Sequence, residues 1–190
     1  ARIENWRASD GFTRFSASST ANTGYAARDE NFISPKAAIS YQWSSDTVLK
    51  ASTGRAVRTP TVAELYGATS TTNSRYINDP NLKPEKSWTT EITAEKDIGN
   101  TLVRLTFFTE NVRDSLYSQT TFDPIANSNI SRVQNVGRIQ TNGIEFAMSG
   151  NDVFKKGLDL SGSITYADSR IKENAGFVSV HGDTIGKYQP

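Results

Sequence analysis

Apolar and polar residues alternate with a period of two along much of this chain, the spacing that sends successive side chains to opposite faces of a β-strand. In residues 36–45, Ala37, Ile39, Tyr41 and Trp43 share one face, while Lys36, Ser40 and Gln42 share the other. Over 87–97, Trp88, Ile92 and Ala94 oppose Glu91, Thr93 and Glu95. Over 101–112, Val103, Leu105 and Phe107 oppose Arg104, Thr106 and Glu110, although Leu102, Phe108 and Val112 fall on the polar parity. Ile144, Phe146 and Met148 oppose Glu145 and Ser149; Leu158, Leu160, Ile164 and Tyr166 oppose Asp159, Ser161, Ser163 and Thr165. Weaker patterns at 1–8 and 47–57 bring the expectation to about seven strands.

The segments between these strands fall into two classes. Ser44 to Thr47, Asp97 to Asn100 and Asn151 to Gly157 are short and rich in turn residues. Residues 9–34, 58–86, 113–131 and 169–190 are long and polar. The classes alternate strictly, so antiparallel neighbours place every short turn at one end and every long loop at the other. Outer-membrane β-barrels are built this way, with periplasmic turns and extracellular loops. A soluble sandwich has no reason to sort its loops, and long structureless loops are uncommon in compact soluble domains. Trp88 borders a long loop and Trp43 a short turn, the two ends at which interfacial aromatic girdles sit. Both would equally serve as ordinary strand aromatics packed in a core.

Composition changes the picture only by exclusion. With 36% hydrophobic residues and a mean hydropathy of −0.52, no stretch reaches the roughly 18 apolar residues of a membrane helix. Alternating strands escape that test. The 21 basic and 20 acidic residues leave a net charge of +1, without the basic excess of a nucleic-acid binder. The absence of cysteine excludes disulfides and thiolate metal sites. Ala1 to Trp6 read as strand rather than signal peptide, so the chain is expected to begin in mid-fold.

Three blocks carry a family resemblance. In the first, Leu49 to Arg58 reads as a strand ending in Val57-Arg58-Thr59-Pro60-Thr61, followed by Glu64-Leu65-Tyr66. In the second, Asp79-Pro80-Asn81-Leu82-Lys83-Pro84-Glu85 leads into a strand at Trp88. The third runs from Val133-Gln134-Asn135-Val136-Gly137 to Gly143-Ile144-Glu145-Phe146. Together they resemble the barrel of TonB-dependent outer-membrane receptors of the siderophore-receptor type. That family has a Phe-Arg-Ala-Pro-Thr type motif before a Glu-Leu-Tyr or Glu-Leu-Phe turn, then an Asn-Pro-Asn-Leu-Lys-Pro-Glu box. Here Val and Thr replace the Phe and Ala of the first motif. The blocks keep the family's order and cover about half of the chain.

The same residues read as punctuation. Pro60 fixes its own φ and biases Thr59 away from helix, ending the strand. Thr61 is placed to cap a short helix over Val62–Tyr66, with Glu64 near its positive end. Pro80 and Pro84 withhold backbone donors, so the segment before residue 87 is expected to stay extended and unpaired.

The resemblance implies an all-β fold: an antiparallel transmembrane segment of about seven strands from a 22-stranded, plugged barrel. Seven strands cannot close, and an open sheet in lipid exposes unpaired backbone. Residues 1–190 are therefore expected to form a partial barrel domain from the C-terminal half of the barrel, without plug domain, signal peptide or barrel-terminal strands. The tail Gly182 to Pro190 reads as a loop before a further strand. The implied function is active uptake of a ferric siderophore or related metal chelate across the bacterial outer membrane. The implied partners are outer-membrane lipid, the chelate and the TonB energy-coupling complex, the last through the plug.

Catalytic chemistry finds little footing, and no cofactor is expected. His181 stands in a predicted loop without a nucleophile beside it, and no Gly-rich phosphate loop or metal-ligand spacing occurs. Glu91, Glu95, Glu110 and Glu145 share the polar face with Lys50 and Arg104, where a hydrated lumen would solvate or pair them. Arg55, Arg58, Tyr66, Arg75 and Tyr76 supply cationic and aromatic groups suited to an anionic, partly aromatic chelate; exposed Arg and Tyr are also ordinary in polar loops. Haem receptors of the family carry a histidine between the two boxes, and residues 59–79 contain none. A passive channel or barrel adhesin, and a soluble β-sandwich binding module, remain alternatives at this point.

Overall fold

The computed structural model describes residues 1–13, 23–67, 69–71, 74–125 and 127–175. His181 and the tail from Gly182 lie outside the described residues. The elements run β1 (Arg2–Ala8), β2 (Phe12–Thr13), β3 (Thr23–Gly24), β4 (Arg28–Ser34), β5 (Lys36–Ser44), β6 (Thr47–Arg58) and α1 (Val62–Tyr66). They continue with β7 (Thr69–Thr71), β8 (Ser74–Ile77), β9 (Glu85–Ile98), β10 (Thr101–Asp123), β11 (Ser128–Gly150) and β12 (Leu160–Glu173).

The chain builds an antiparallel wall in sequence order, β5-β6-β9-β10-β11-β12. β1 pairs with β4 beside it, and β2 pairs with β3. Pro35 separates β4 from β5: it has no N–H for a ladder, yet its carbonyl accepts from Arg55 N–H at 2.9 Å. The predicted loop over 9–34 therefore holds a strand, β4, whose mixed charges hid its alternation.

Register turns the alternation into two surfaces. Ile39, Ala51, Ile92, Phe107, Ile144 and Tyr166 lie opposite one another across six strands. One row toward the turn end, Tyr41, Leu49, Ala94, Leu105, Phe146 and Ile164 do the same. Ile39 (69%), Ile92 (59%), Phe107 (54%) and Ile164 (72%) stand exposed. Such an apolar expanse has no place on a soluble monomer; in hydrocarbon each large side chain gains about 1.5–3 kcal/mol relative to water. The opposite face carries Ser40, Lys50, Thr93, Thr106, Glu145 and Thr165 in register.

The three off-parity residues take this polar face. Phe108 lies across Gly143, where an added Cβ would stand 2.2 Å from the ring's Cζ and 2.8 Å from the Tyr166 carbonyl oxygen. A ring on the polar face is accommodated because its cross-strand partner has no side chain.

The turn end is short as expected. Ser45 and Asp46 join β5 to β6, and Gly99 (φ 62°) with Asn100 joins β9 to β10, a pair suited to a tight hairpin. Neighbouring turns are tied by Asp97 N–H to the Asp46 carbonyl (2.8 Å) and Asn151 N–H to the Asn100 carbonyl (3.1 Å). Asp46 accepts from Ser44, Thr47 and Lys96 at 2.6, 2.9 and 2.8 Å. The Lys96 ammonium first, then the two hydroxyls, hold its carboxyl well below the usual range.

The loop end departs from expectation. Residues 113–131 are not a long loop but the far half of a hairpin, with β10 and β11 each 23 residues long. A barrel strand needs about 9–11 residues to cross a bilayer, and each of these strands is about twice that length. β11 is bonded by β12 along residues 138–150 and by β8, in parallel, along 129–132. The polar composition of 113–131 concealed this, because these strand halves carry no period-two apolar face.

Placing a methyl group at residue 143 is expected to force Phe108 aside. Gly143→Ala should cost about 1–3 kcal/mol, read as a lower unfolding temperature of the intact protein in detergent. Adding Phe108→Ala should restore part of the loss, since the Tyr166 carbonyl remains.

Candidate functional site at the loop end

Above the wall, the loop-end segments make the one packed cluster of buried side chains found among the described residues. Leu65, Tyr66, Leu82, Leu116 and Val133 form it, with Trp6, Ala8, Tyr25 and Tyr76 against them. Leu65 and Leu82 are only 1% exposed. Both belong to the motif boxes, one from each side of the 58–86 connection.

α1 begins as its sequence predicts. Thr61 is the N-cap; Glu64 N–H donates to its hydroxyl, and the Thr61 N–H donates back to the Glu64 carboxylate at 2.7 Å, a reciprocal capping box. Arg58, at the end of β6, ties this cap to the second box. Its guanidinium donates to Glu64 (3.2 Å) and to the Leu116 carbonyl (3.2 Å), and lies 3.7 Å from Glu85. Glu85 in turn accepts from the Ser115 hydroxyl (3.0 Å) and Leu116 N–H (2.9 Å).

The third block closes the unit. Asn135 imitates a strand: its Oδ1 accepts from Lys83 N–H at 2.8 Å, and its Nδ2 donates to the Lys83 carbonyl at 2.9 Å and the Asp114 carbonyl at 2.7 Å. The segment between Pro80 and Pro84 is thus unpaired by strands yet fully held. Asp79 caps it by accepting from Asn81 N–H (2.8 Å). Arg28 supports it from β4, donating to the Pro80 and Leu82 carbonyls at 2.9 Å each, pairing with Glu30 at 2.6 Å and lying over the Trp6 ring at 5.3 Å. Gly11 makes room for Tyr66, whose ring stacks on Tyr25 at 5.1 Å.

Burial works to raise the Glu64 carboxyl, but the Thr61 N–H, the Arg58 guanidinium and the Thr61 hydroxyl outweigh it and leave the group below its ordinary value. Burial, then the nearby Glu64 charge, raises the Tyr76 phenol above its ordinary value.

The five residues singled out from sequence separate here. Arg58, Tyr66 and Tyr76 gather around α1. Arg58 is committed to its acidic partners, Tyr66 is buried in the cluster, and Tyr76 is half-buried beside it. Arg75 sits on β8, opposite Ser70 and Ile130; its side chain lies outside the described residues. Arg55 is elsewhere, on the outward face of β6, donating to the Ile33 carbonyl at 3.3 Å. Sequence reasoning missed Arg28 and Gly11, whose roles depend on contacts about 50 residues away. Asn135 lies within the third block, and its role too depends on a segment about 50 residues away.

The lumen-facing carboxylates are wall chemistry. Glu95 pairs with Lys50 at 2.6 Å and Arg104 at 3.5 Å; Glu110 accepts from Ser87 and Glu145 from Thr165. Among the described residues, no group of three or more acidic or histidine side chains is placed to hold a metal ion. No helix among them is long and apolar enough to cross a membrane.

A sequence model of the family described as "TonB dependent receptor-like, beta-barrel" matches residues 2–188. No curated protein matches. Among solved structures, the ferric enterobactin receptor PfeA of Pseudomonas aeruginosa, a mutant bound to enterobactin, aligns with TM-score 0.55 at 18% identity, over 77% of this chain and 26% of that one. The copper transporter OprC aligns with TM-score 0.61 at 16% identity, over 80% and 23%. The siderophore receptor PirA of Acinetobacter baumannii aligns with TM-score 0.56 at 15% identity, over 83% and 25%. The chain spans about a quarter of the length of these proteins, and at such identities the likeness is one of fold.

Two outcomes test the mouth. Asn135→Ala removes the bonds to the Lys83 N–H and to the Lys83 and Asp114 carbonyls; a cost of about 0.5–1.5 kcal/mol and faster proteolysis across 78–84 are expected. The lowered Glu64 pKa makes its stabilisation complete above the unfolded-state value and lost as pH falls through the folded one. Hydrogen exchange at the α1 amides, corrected for intrinsic rate, should therefore lose protection on acidification, and Glu64→Gln should flatten that dependence.

Proposed function

The chain belongs to the TonB-dependent receptor-like β-barrel family, and from that premise we propose that it forms wall and mouth of an outer-membrane receptor importing a ferric siderophore or related metal chelate. The observation that carries this reading is the pairing of two surfaces on one wall. A continuous apolar face, in register over six strands, backs a charged and hydroxylated face, and both rise to a packed mouth.

Such a wall does not itself select a ligand. Selection falls to groups above the bilayer, and Arg75 and Tyr76 on β8 are the mouth residues suited to an anionic, aromatic chelate. Arg58 and Tyr66 act there as positioning residues: the first fixes the α1 turn through Glu64 and Glu85, the second fills the cluster beneath it. Neither has to touch ligand. The metal would arrive already coordinated by its chelator, so a protein-built metal site is not required. In the intact receptor a plug domain would close the lumen, and TonB would deliver inner-membrane energy to shift it after binding. Outer-membrane placement follows the family's location, and the apolar face suits it.

Uptake by the intact receptor decides the matter. Cells presented with a panel of radiolabelled ferric siderophores should bind one class at the surface and import it. Dissipating the proton-motive force should abolish import and leave surface binding. Import that persists without that force would establish a passive channel instead. Arg75→Ala with Tyr76→Ala should weaken surface binding by roughly tenfold or more without changing the amount of folded receptor.

A further inference from the structure

The outward face of the wall changes character at its loop end. Lys86 on β9, Arg113 on β10 and Arg138 on β11 lie directly opposite one another in a single register row. Like charges in direct cross-strand opposition destabilise a sheet, and here three occur side by side. One row below, Arg55, Trp88, Asn111 and Gln140 are likewise in register.

Several cations elsewhere in the wall have a carboxylate partner. Lys50 and Arg104 on the lumen face share Glu95, and Lys96 at the turn end holds Asp46. Arg138 lies 3.7 Å from the exposed Glu173. With its amide turned so that its oxygen faces the guanidinium, Asn111 accepts from Arg138 at 3.2 Å. Among the described residues, no carboxylate forms an ion pair with Arg55, Lys86 or Arg113. These three line an open groove of about 410 Å³ together with Ser87, Trp88 and Asn111.

The height of the groove identifies what it faces. Trp43 marks the turn end of the apolar face and Trp88 its loop end, both exposed. About eight residues separate the two levels along β9, roughly 26 Å along the strand and about 18–21 Å of height at a tilt of roughly 35–45°, within the apolar band of about 25 Å of an outer-membrane barrel. The cations stand at and just above Trp88, at the depth of lipid headgroups. A cation there costs about 0–1 kcal/mol, against 2–4 at the midplane. Below the groove on the same face run Thr90, Ile92 and Phe107, a surface for acyl chains.

We propose that Arg55, Lys86 and Arg113 bind the phosphorylated headgroup of an outer-leaflet lipid whose chains lie along the apolar rows beneath. Arginine forks match phosphate oxygens in paired hydrogen bonds, and the anion removes the repulsion built into the row. The site faces away from the lumen and is separate from the ligand mouth. It rests on the outer-membrane barrel reading.

The test uses the intact, delipidated receptor in neutral detergent. Native mass spectrometry would follow retention of diphosphorylated lipid A, its dephosphorylated form, and the former with millimolar inorganic phosphate as competitor. The expected result is saturable retention of the diphosphorylated lipid alone, little displaced by phosphate. The triple variant R55Q/K86Q/R113Q should weaken it roughly tenfold or more, whereas Arg104→Gln on the lumen face should not. Should the triple variant fold poorly, Arg113→Gln alone should still weaken retention severalfold. Equal retention by the variants, equal retention of the dephosphorylated lipid, or full displacement by inorganic phosphate would each overturn the proposal. A receptor recovered from the soluble fraction would instead overturn the barrel reading itself.

Discussion

Backbone polar groups inside hydrocarbon have no water to turn to, so each must be bonded by a neighbouring strand. Everything else in this protein depends on that constraint. It requires long, in-register antiparallel ladders, and β9, β10 and β11 supply them without a break through the apolar rows. Once ladders are fixed, side chains can only alternate between two faces. A one-residue slip would send Phe107 to the lumen and Glu91 or Glu145 to the lipid. The register is thus enforced by solvent on both sides: Ile92, Phe107 and Ile144 would lose hydrocarbon just as Lys50, Glu95 and Arg104 would lose water and one another.

The mouth answers to a different rule. Above the bilayer, segments leave the ladder and their freed backbone groups need side-chain partners. The family boxes meet that need. Asn135 supplies to Lys83 the donor and acceptor that a neighbouring strand would have given, and Arg28 takes the two carbonyls on either side of Asn81. Leu65 and Leu82 then bury what little apolar surface the connection has. The proline-rich box and the Arg-Thr-Pro box are therefore halves of one fastening, with Glu85 and Arg58 as its clasp.

How much of this was legible follows from the range of the forces involved. Nearest-neighbour chemistry could be read: Thr61 and Glu64 foretold α1 to the residue, Gly99-Asn100 foretold a hairpin, and parity foretold both faces of the wall. The distal halves of β10 and β11 could not, because strands flanked by water or by other loops carry no period-two apolar signal. β4 hid for the same reason, with Arg28, Asp29 and Glu30 leading it. Site residues divided by distance too. That Arg58 would be spent on Glu64 was within reach, six residues away; that Arg55 faces outward follows from its parity with Leu49 and Ala51, on a stretch of β6 that has no apolar row to mark the face.

That same parity separates the wall's charges by solvent. On the polar face both signs are at home in water, and Lys50 and Arg104 meet at Glu95 across the ladder. Facing outward at the loop end, the like charges of Lys86, Arg113 and Arg138 lie side by side in one row, with Glu173 next to Arg138. A ladder held rigid by its backbone cannot relieve that repulsion by slipping, because the apolar rows below would be displaced with it. The repulsion among Lys86, Arg113 and Arg138 is therefore locked in by the hydrophobic register beneath; Glu173 offsets it at Arg138, and among the described residues no carboxylate does so at Lys86 or Arg113.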